Sequence, residues 1–425
     1  MPTIVIAGGG IAGLEALVAL RTHLGSEVRI ELLEGATDLV ERQRAVEQPF
    51  DGAPPRRFDL TRIAADHDAH LRPDRLGSVD AGARRVLTVR GDTLAYDALL
   101  VAVGAAPDIA VPGALTFSGP RDVGAYSRLL ADLDAGRVSR IAFALPTAAT
   151  WALPLYELAL MTAEHLRDSG RQDAGLLIVT PEHSPLEAFG ERSASHIWSL
   201  LAERSIAVRG DTVPLRAGPG GLVVEGGMPV QADRIVSLPR LGGPWIGGLP
   251  HDEEGFLPTD AYGAVTGAEA VWAAGDGTSF PIKQGGLAAQ QADAAAAAIA
   301  AHLGADVVAE PFRPVLRGVL LDPRGQRFLD AARGDMPPTP LWWPPTKVVA
   351  QHLGRYLFPG SPPPTPQGED HVDVGSLLLN LASRHTASGE LLMALRCLDA
   401  AREVLGELPP DAVAQRNELV RAVPA

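Results

Sequence analysis

The chain contains one cysteine, Cys397, among 425 residues. A single thiol precludes an intramolecular disulfide and a dithiol couple, and its flanks, Leu395 and Leu398, mark it as a helix core residue rather than a reactive centre. Positive charge is also short. Against 51 Asp and Glu stand 37 Lys and Arg, for a net charge of −14, and no basic stripe survives. Nucleic acid and anionic lipid are therefore poor partners. No apolar run approaches the length of a spanning helix, and no internal repeat is evident. The opening residues already read as a strand, which leaves no room for a leader, so a cytoplasmic location is expected. What remains is a chain long enough for two or three domains with full cores.

Thr3 to Ala7 is an apolar, β-branched run of the kind that forms a buried parallel strand, and it leads directly into Gly8-Gly9-Gly10-Ile11-Ala12-Gly13. Gly8 suits the tight turn, Gly10 a close backbone approach to a pyrophosphate, and Gly13 close helix–strand packing. Leu14 to Leu24 continues as a helix whose N-terminal amides face the phosphates. A second strand, Val28 to Leu33, ends in Glu34, 21 residues past the last glycine, where a carboxylate accepts from both adenosine ribose hydroxyls. Strand, glycines, helix, strand and acid in this order predict a dinucleotide site.

A second element separates NAD from FAD. Ala270 to Ala274 reads as a short strand ending in Gly275-Asp276, followed by Lys283-Gln284-Gly285-Gly286 and an Ala-rich helix from Leu287 to about His302. Asp276 is placed to bind a ribityl hydroxyl, a group FAD has and NAD lacks. The helix dipole would point at the flavin ring, where reduction deposits negative charge, with Lys283 at its mouth. A turn aspartate and a solvated lysine are the plain readings of each residue alone; their combination after the N-terminal unit favours a site. Tyr96 to Gly104 reads as a further buried strand with a glycine exit. The expected cofactor-binding residues are Gly8, Gly10, Ile11, Ala12, Gly13, Glu34, Gly104, Gly275, Asp276, Lys283, Gly286 and Leu287, with Lys283 also the catalytic candidate and no metal site expected.

On these residues the chain resembles the two-dinucleotide-domain flavoproteins of the pyridine nucleotide-disulfide oxidoreductase kind, in the branch of sulfide:quinone oxidoreductases, flavocytochrome c sulfide dehydrogenases and type II NADH dehydrogenases. The resemblance covers roughly residues 1–330. It implies an α/β fold of two Rossmann-like domains, the second inserted in the first, with FAD near their interface and a C-terminal cap and helical tail. Lys283 and Gly285 match the Lys-x-Gly that lies beside the flavin in the sulfide:quinone branch. The Ala-Gln-x-Ala-x-Gln pattern of the type II dehydrogenases is matched only by Ala288 and Gln290, with Gly286 where its first Gln belongs.

Two departures qualify what the resemblance implies. Pyridine-nucleotide-using relatives have a glycine-rich turn after the first strand of the inserted domain. Here that strand, Arg140 to Leu145, runs into Pro146-Thr147-Ala148-Ala149-Thr150-Trp151-Ala152-Leu153-Pro154 without a glycine, and Trp151 would fill the pyrophosphate's space. Sulfide oxidation in the branch runs through cysteines, one of them in the segment matching Thr147 to Pro154. This chain has none there.

The expected organisation is an FAD-binding domain over 1–106 and 251–310, an inserted domain over 107–250, a cap over 311–358, a proline-rich linker over 359–370 and a helical tail over 371–425. Within the insert, helices are expected from Pro154 to Ser169 and from Ala194 to Arg204, strands from Gly175 to Thr180 and from Ile206 to Val208, and a hairpin from Gly218 to Met228. Lys347 to Phe358 reads as a helix with Val348, Val349, Leu353, Tyr356 and Leu357 on one face and Lys347, Gln351 and Arg355 on the other. In quinone-reducing relatives such a tail lies on the membrane, with Trp342 and Trp343 here as candidate anchors; packing on the protein itself is the favoured alternative because the polar face has two cations. Leu377 to Leu381, Glu390 to Leu405 and Asp411 to Val420 read as tail helices with Ser388 and Asp411 as N-caps, and the tail docks on its own chain or forms a homodimer. Arg42, Arg44 and Glu47 are candidates for substrate or flavin contacts.

Three functions fit. The favoured one is an FAD-dependent oxidoreductase in which a quinone or other small molecule meets the flavin directly, without cysteine chemistry. The others are an NAD(P)H dehydrogenase with atypical nicotinamide binding, and a flavin-binding sensor or scaffold acting through its tail.

Overall fold

The computed structural model describes residues 1–147, 150–330, 334–335, 347, 350–359 and 374–423. Its first parallel sheet runs in the order Val271–Ala273, Ala98–Val101, Thr3–Ala7, Arg29–Leu33, Ala69–Arg72. Ile4, Val5, Ile6 and Ala7 are fully buried, as a strand covered on both faces requires. Ala7 lies in register with Leu33 and with Val101, and Val101 with Ala273. The segments that leave these strands, 8–13, Glu34, 102–104 and 275–276, consequently share one edge of the sheet.

Two helices pack on each other beside that edge, Ile11–Leu24 and Gly285–His302. The second is dominated by alanine, whose small side chain lets helix axes approach closely; Ala292, Ala295 and Ala296 are fully buried. It begins two residues before the expected Leu287, because Gln284 caps it.

The second parallel sheet has the order Leu115–Thr116, Arg234–Ser237, Arg140–Ala144, Gly175–Val179, Ile206–Arg209. Ala144 lies in register with Val179 and with Ser237. Helices Val123–Asp134, Leu153–Asp168 and Gly190–Glu203 flank it. Pro154 sits in the first turn of its helix, where a missing N–H costs nothing. The hairpin expected over Gly218–Met228 is displaced. Strands Pro214–Gly218, Gly221–Val224 and Val230–Gln231 form a meander whose first turn falls at Pro219 and Gly220, the latter at φ 85°.

The strands Arg317–Asp322 and Gly325–Asp330 form an antiparallel hairpin, and its buried Val319, Leu320 and Leu321 join the core beneath the second sheet. The helix expected over Lys347–Phe358 is shorter, His352–Leu357. Its N-terminus is held by the buried Glu15, which accepts from the His352 and Leu353 amides at 2.8 and 2.5 Å. Leu353 is fully buried against the first sheet's core, so this helix packs on the protein. Lys347 does not belong to a solvated face: its ammonium pairs with the buried Glu157. Trp342, Trp343, Val348, Val349 and 360–370 of the linker lie outside the described residues.

The tail forms helices Val374–Ala387, Leu391–Leu405 and Pro410–Ala422. Neither expected N-cap serves as one. Ser388 Oγ donates backwards to the Arg384 carbonyl, at the end of the preceding helix, and Pro409 precedes the last helix with Asp411 inside its first turn. Among the described residues no helix is long and apolar enough to cross a membrane.

Candidate functional site

The first turn of the Ile11–Leu24 helix has no side-chain cap, so its amides remain available as donors at the sheet edge. The glycines before it differ in what their lost side chain permits. A Cβ on Gly13 would lie 1.8 Å from the Gly8 carbonyl oxygen, and one on Gly8, at φ 115°, would lie 2.3 Å from the Ala102 oxygen. Those two are dictated by backbone packing. Gly10 and Gly104 are different: a Cβ on either would meet nothing within 4 Å. They border open space at the strand ends, the cradle a pyrophosphate and its neighbouring groups require.

Glu34 leaves the neighbouring strand and receives the Gly9 amide at 2.7 Å and the Ala36 amide at 2.8 Å. The second half of the chain arrives at the same place. Gly275, at φ 86°, accepts no Cβ without pressing on Ala12, 3.2 Å away, and its amide donates to the buried Gln291 at 2.8 Å. A Cβ on Gly285 would come within 3.0 Å of Ile11 Cδ1, so the N-termini of the two helices converge. Gln284 accepts from the Leu287 amide at 2.8 Å and donates to the Arg317 carbonyl at 3.1 Å. The first-turn donors left at that helix are the amides of Gly285 and Gly286.

Beyond this junction a cavity of about 360 Å³ opens between the two sheets. Asp276, Lys283 and Gly285 form one wall, Trp151 and Leu238 at strand ends of the second sheet another, and Lys347 and the tail's Met393 close it. Lys283 is half-buried. Its ammonium donates to the Thr278 carbonyl at 2.5 Å and stands 3.9 Å from the centre of the Phe256 ring. Burial pushes the amine down to about 7, and the Arg396 charge acts in the same direction against Asp276. Asp276 is moved upward by burial, with Lys283 opposing.

The three candidates after the second strand separate. Arg42 lines the cavity, whereas Arg44 and Glu47 are locked in a two-bond pair with each other, at 2.7 and 2.9 Å. The residue between, Gln43, was not singled out by its sequence. It borders the cavity beside Gly285, and its buried Oε1 has no hydrogen-bond partner among the described residues. Lys347, with Glu157, was missed too. Glu157 is fully buried, accepts from the Leu321 amide at 2.8 Å, and is driven upward by desolvation.

Among the described residues, the second sheet's strand ends carry no comparable cradle. After Arg140–Ala144, the Thr150 amide donates to the Thr147 carbonyl at 3.1 Å and Trp151 packs edge-on against Phe189, ring centres 5.7 Å apart. Ala148 and Ala149 lie outside the described residues. Glu182, three residues past the strand Gly175–Val179, is buried against the Tyr156 and Thr180 hydroxyls at 2.6 and 3.0 Å, and burial raises it to about 7. Arg384 of the tail grips Glu187, with Nη2 2.9 Å from Oε2. The helix Val374–Ala387 thereby lies across the edge where a nucleotide would enter; Pro146, Thr147 and Pro181 share a cavity lining with Arg384 and His385. Cys397 is fully buried in the tail, its thiol raised to about 12 by burial.

Open backbone at Gly10 and Gly104, the uncapped N-terminus of the Ile11–Leu24 helix, the first-turn amides of Gly285 and Gly286, the orphan acceptor of Gln43 and the wall of Asp276 and Lys283 fit a dinucleotide whose second half is a redox ring. Residues 2–142 match the family described as pyridine nucleotide-disulphide oxidoreductase. The fold is similar to the sulfide:quinone oxidoreductase of the hyperthermophilic bacterium Aquifex aeolicus, at 18% identity over 78% of this chain and 84% of that one, TM-score 0.71. It is similar to the ferredoxin reductase of the CYP199A2 system from Rhodopseudomonas palustris, at 17% over 75% and 80%, TM-score 0.59. NDH2 from Plasmodium falciparum, solved with NADH, shares the fold at 11% over 65% and 64%, TM-score 0.55. No curated protein matches in sequence.

Proposed function

We propose that this chain, an FAD-dependent oxidoreductase of the pyridine nucleotide-disulphide type, oxidises or reduces a small molecule or quinone directly in the cavity between its sheets, without a nicotinamide nucleotide and without a thiol. The observation that carries this reading is the closed edge of the second sheet. A nucleotide needs glycine backbone there, and the chain offers Trp151, a buried Glu182 already spent on two hydroxyls, and a tail helix pinned by Arg384 to Glu187. Cys397, the one thiol, is sealed in the tail and does not line the cavity.

FAD supplies two-electron redox chemistry at its ring when bound. The chain's own residues supply the rest. The amides of Ile11, Ala12 and Gly13 would bind the phosphates, Glu34 the ribose and Asp276 the ribityl chain. The helix beginning at Gly285 directs its positive end at the cavity, stabilising negative charge that develops there. Lys283, balanced near neutral pH, holds or releases a proton at Nζ as charge changes beside it. Trp151, Phe256 and Met393 exclude water from the space in which substrate sits.

Anaerobic mixing tests the proposal. Protein reconstituted with FAD is expected to be bleached by dithionite, to stay yellow with NADH, NADPH and sulfide, and after reduction to regain colour with a short-chain quinone. Rapid bleaching by NADH overturns the closed-edge reading; bleaching by sulfide overturns the exclusion of thiol chemistry only if it persists in Cys397→Ser less than in the wild type.

A further inference from the structure

We infer that Arg396, on the tail helix Leu391–Leu405, is a positioning residue for Lys283, fixing the place and charge of the cavity amine through the ring of Phe256 that both cations share. The inference deepens the reaction proposed above and rests on it only for the use to which Lys283 is put.

Phe256 is 1% exposed. Lys283 Nζ stands 3.9 Å and Arg396 Cζ 4.9 Å from its ring centre. Arg396 reaches that ring because the turn before it is built to receive a guanidinium. Asp252 Oδ2 pairs with Nη2 at 2.6 Å, and Glu254 pairs with Nη1. The same turn holds the ring rigidly: Asp252 Oδ1 accepts from the Glu254 and Phe256 amides, each at 3.0 Å, and the Asp252 amide donates to the Phe256 carbonyl at 2.9 Å. Clamp and ring therefore move as one unit. One helical turn before Arg396, Met393 lines the cavity itself. A tail outside the dinucleotide fold thus contributes one residue to the cavity wall and another behind its amine.

Two cations on one ring repel each other. Arginine keeps its proton under all ordinary conditions and lysine does not, so the repulsion is relieved by loss of the Lys283 proton. The charged groups facing Lys283 are Asp276, Asp252 and Glu254, which hold the proton on, and Arg396, which drives it off together with burial. Removing Arg396 takes away the repulsion, frees Asp252 and Glu254 to attract, and lets water nearer. All three changes raise the pH at which Lys283 titrates.

The measurement uses a property of the sequence: Lys283 and Lys347 are its only lysines. The FAD-loaded full chain, grown with ε-carbon-labelled lysine, gives two side-chain resonances, and Lys347→Arg assigns the other. In the wild type the Lys283 midpoint is expected near 7. Arg396→Gln moves it alkaline by about one pH unit or more. Glu254→Gln, which removes an acid and leaves Arg396 on Asp252, moves it in the acid direction. Arg384→Gln loosens the tail without touching Phe256 and leaves it unchanged. A midpoint unmoved in Arg396→Gln, an alkaline move in Glu254→Gln, or an equal move in Arg384→Gln overturns the inference. None of these outcomes depends on which donor reduces the protein, so the failure of the closed-edge reading is recognised separately.

Discussion

Lys283 and Lys347 stand in the wall of the same cavity, and the other 35 cationic side chains of the molecule are arginine. Arginine binds charge but cannot give up a proton near neutral pH; lysine, partly desolvated, can. The chain has kept the titratable cation in this cavity and used the permanent one everywhere else.

Substituting Lys283 separates charge from proton transfer. Lys283→Arg retains the cation and Lys283→Met removes it, yet both are expected to abolish the break near pH 7 in the pH dependence of the bound FAD's midpoint potential. Reoxidation by a short-chain quinone should fall about 100-fold in either variant. A break preserved in Lys283→Arg would assign it to another group.

The motif glycines should respond oppositely. Gly10→Ala places its Cβ in open space, so the apoprotein should melt as the wild type does while FAD affinity drops about 100-fold, read by quenching of flavin fluorescence. Gly13→Ala drives a Cβ to within 1.8 Å of the Gly8 carbonyl oxygen, and stability should fall by about 3 kcal/mol in a denaturant titration with or without FAD. Equal behaviour of the two variants would contradict the division of labour between cradle and packing.

Glu34→Ala removes the acceptor that organises the Gly9 and Ala36 amides and, on the proposed function, the one for the ribose. A hydrogen bond to a charged group contributes about 1.5–3 kcal/mol, so the FAD dissociation constant should rise about 10- to 100-fold. Equilibrium dialysis checks it.

Glu182 makes stability depend on pH. Its folded value of about 7 lies above the ordinary 4.5, so the native state binds the extra proton between those limits. The carboxyl's contribution is fully present below 4.5 and is lost as pH rises through 7, by up to about 3 kcal/mol. Glu182→Gln should therefore gain on the wild type from pH 4.5 to 7 and hold a constant margin above, in urea titrations across that range.

Much of the first sheet was legible locally. Thr3 to Ala7 with its glycines, Val28 to Glu34, Tyr96 to Gly104 and Ala270 to Asp276 each carry their signal within about ten residues, because a buried strand followed by a glycine exit is a short-range pattern. The 347–358 helix is shorter than its pattern for the same reason in reverse: periodicity promised a long amphipathic face, and Leu353, Tyr356 and Leu357 do pack inward, but Lys347 is drawn off by the buried Glu157, 190 residues earlier. Ser388 looked like a cap in sequence and instead finishes the helix before it. The scarcity of lysine was a signal available in the composition, and it pointed to Lys347.

By itself the order of residues determined that two parallel sheets would form, that the first would end in a glycine turn opening a helix, and that the second would offer no such turn. Only the tertiary structure decided that Arg384 would close that second edge on Glu187 and that Arg396 would share Phe256 with Lys283. Helix and strand patterns are written by interactions among near neighbours in the chain, whereas those pairings join segments 197 and 113 residues apart. Such pairs exist once packing has brought the surfaces together, and their charges take their values from the burial that packing creates.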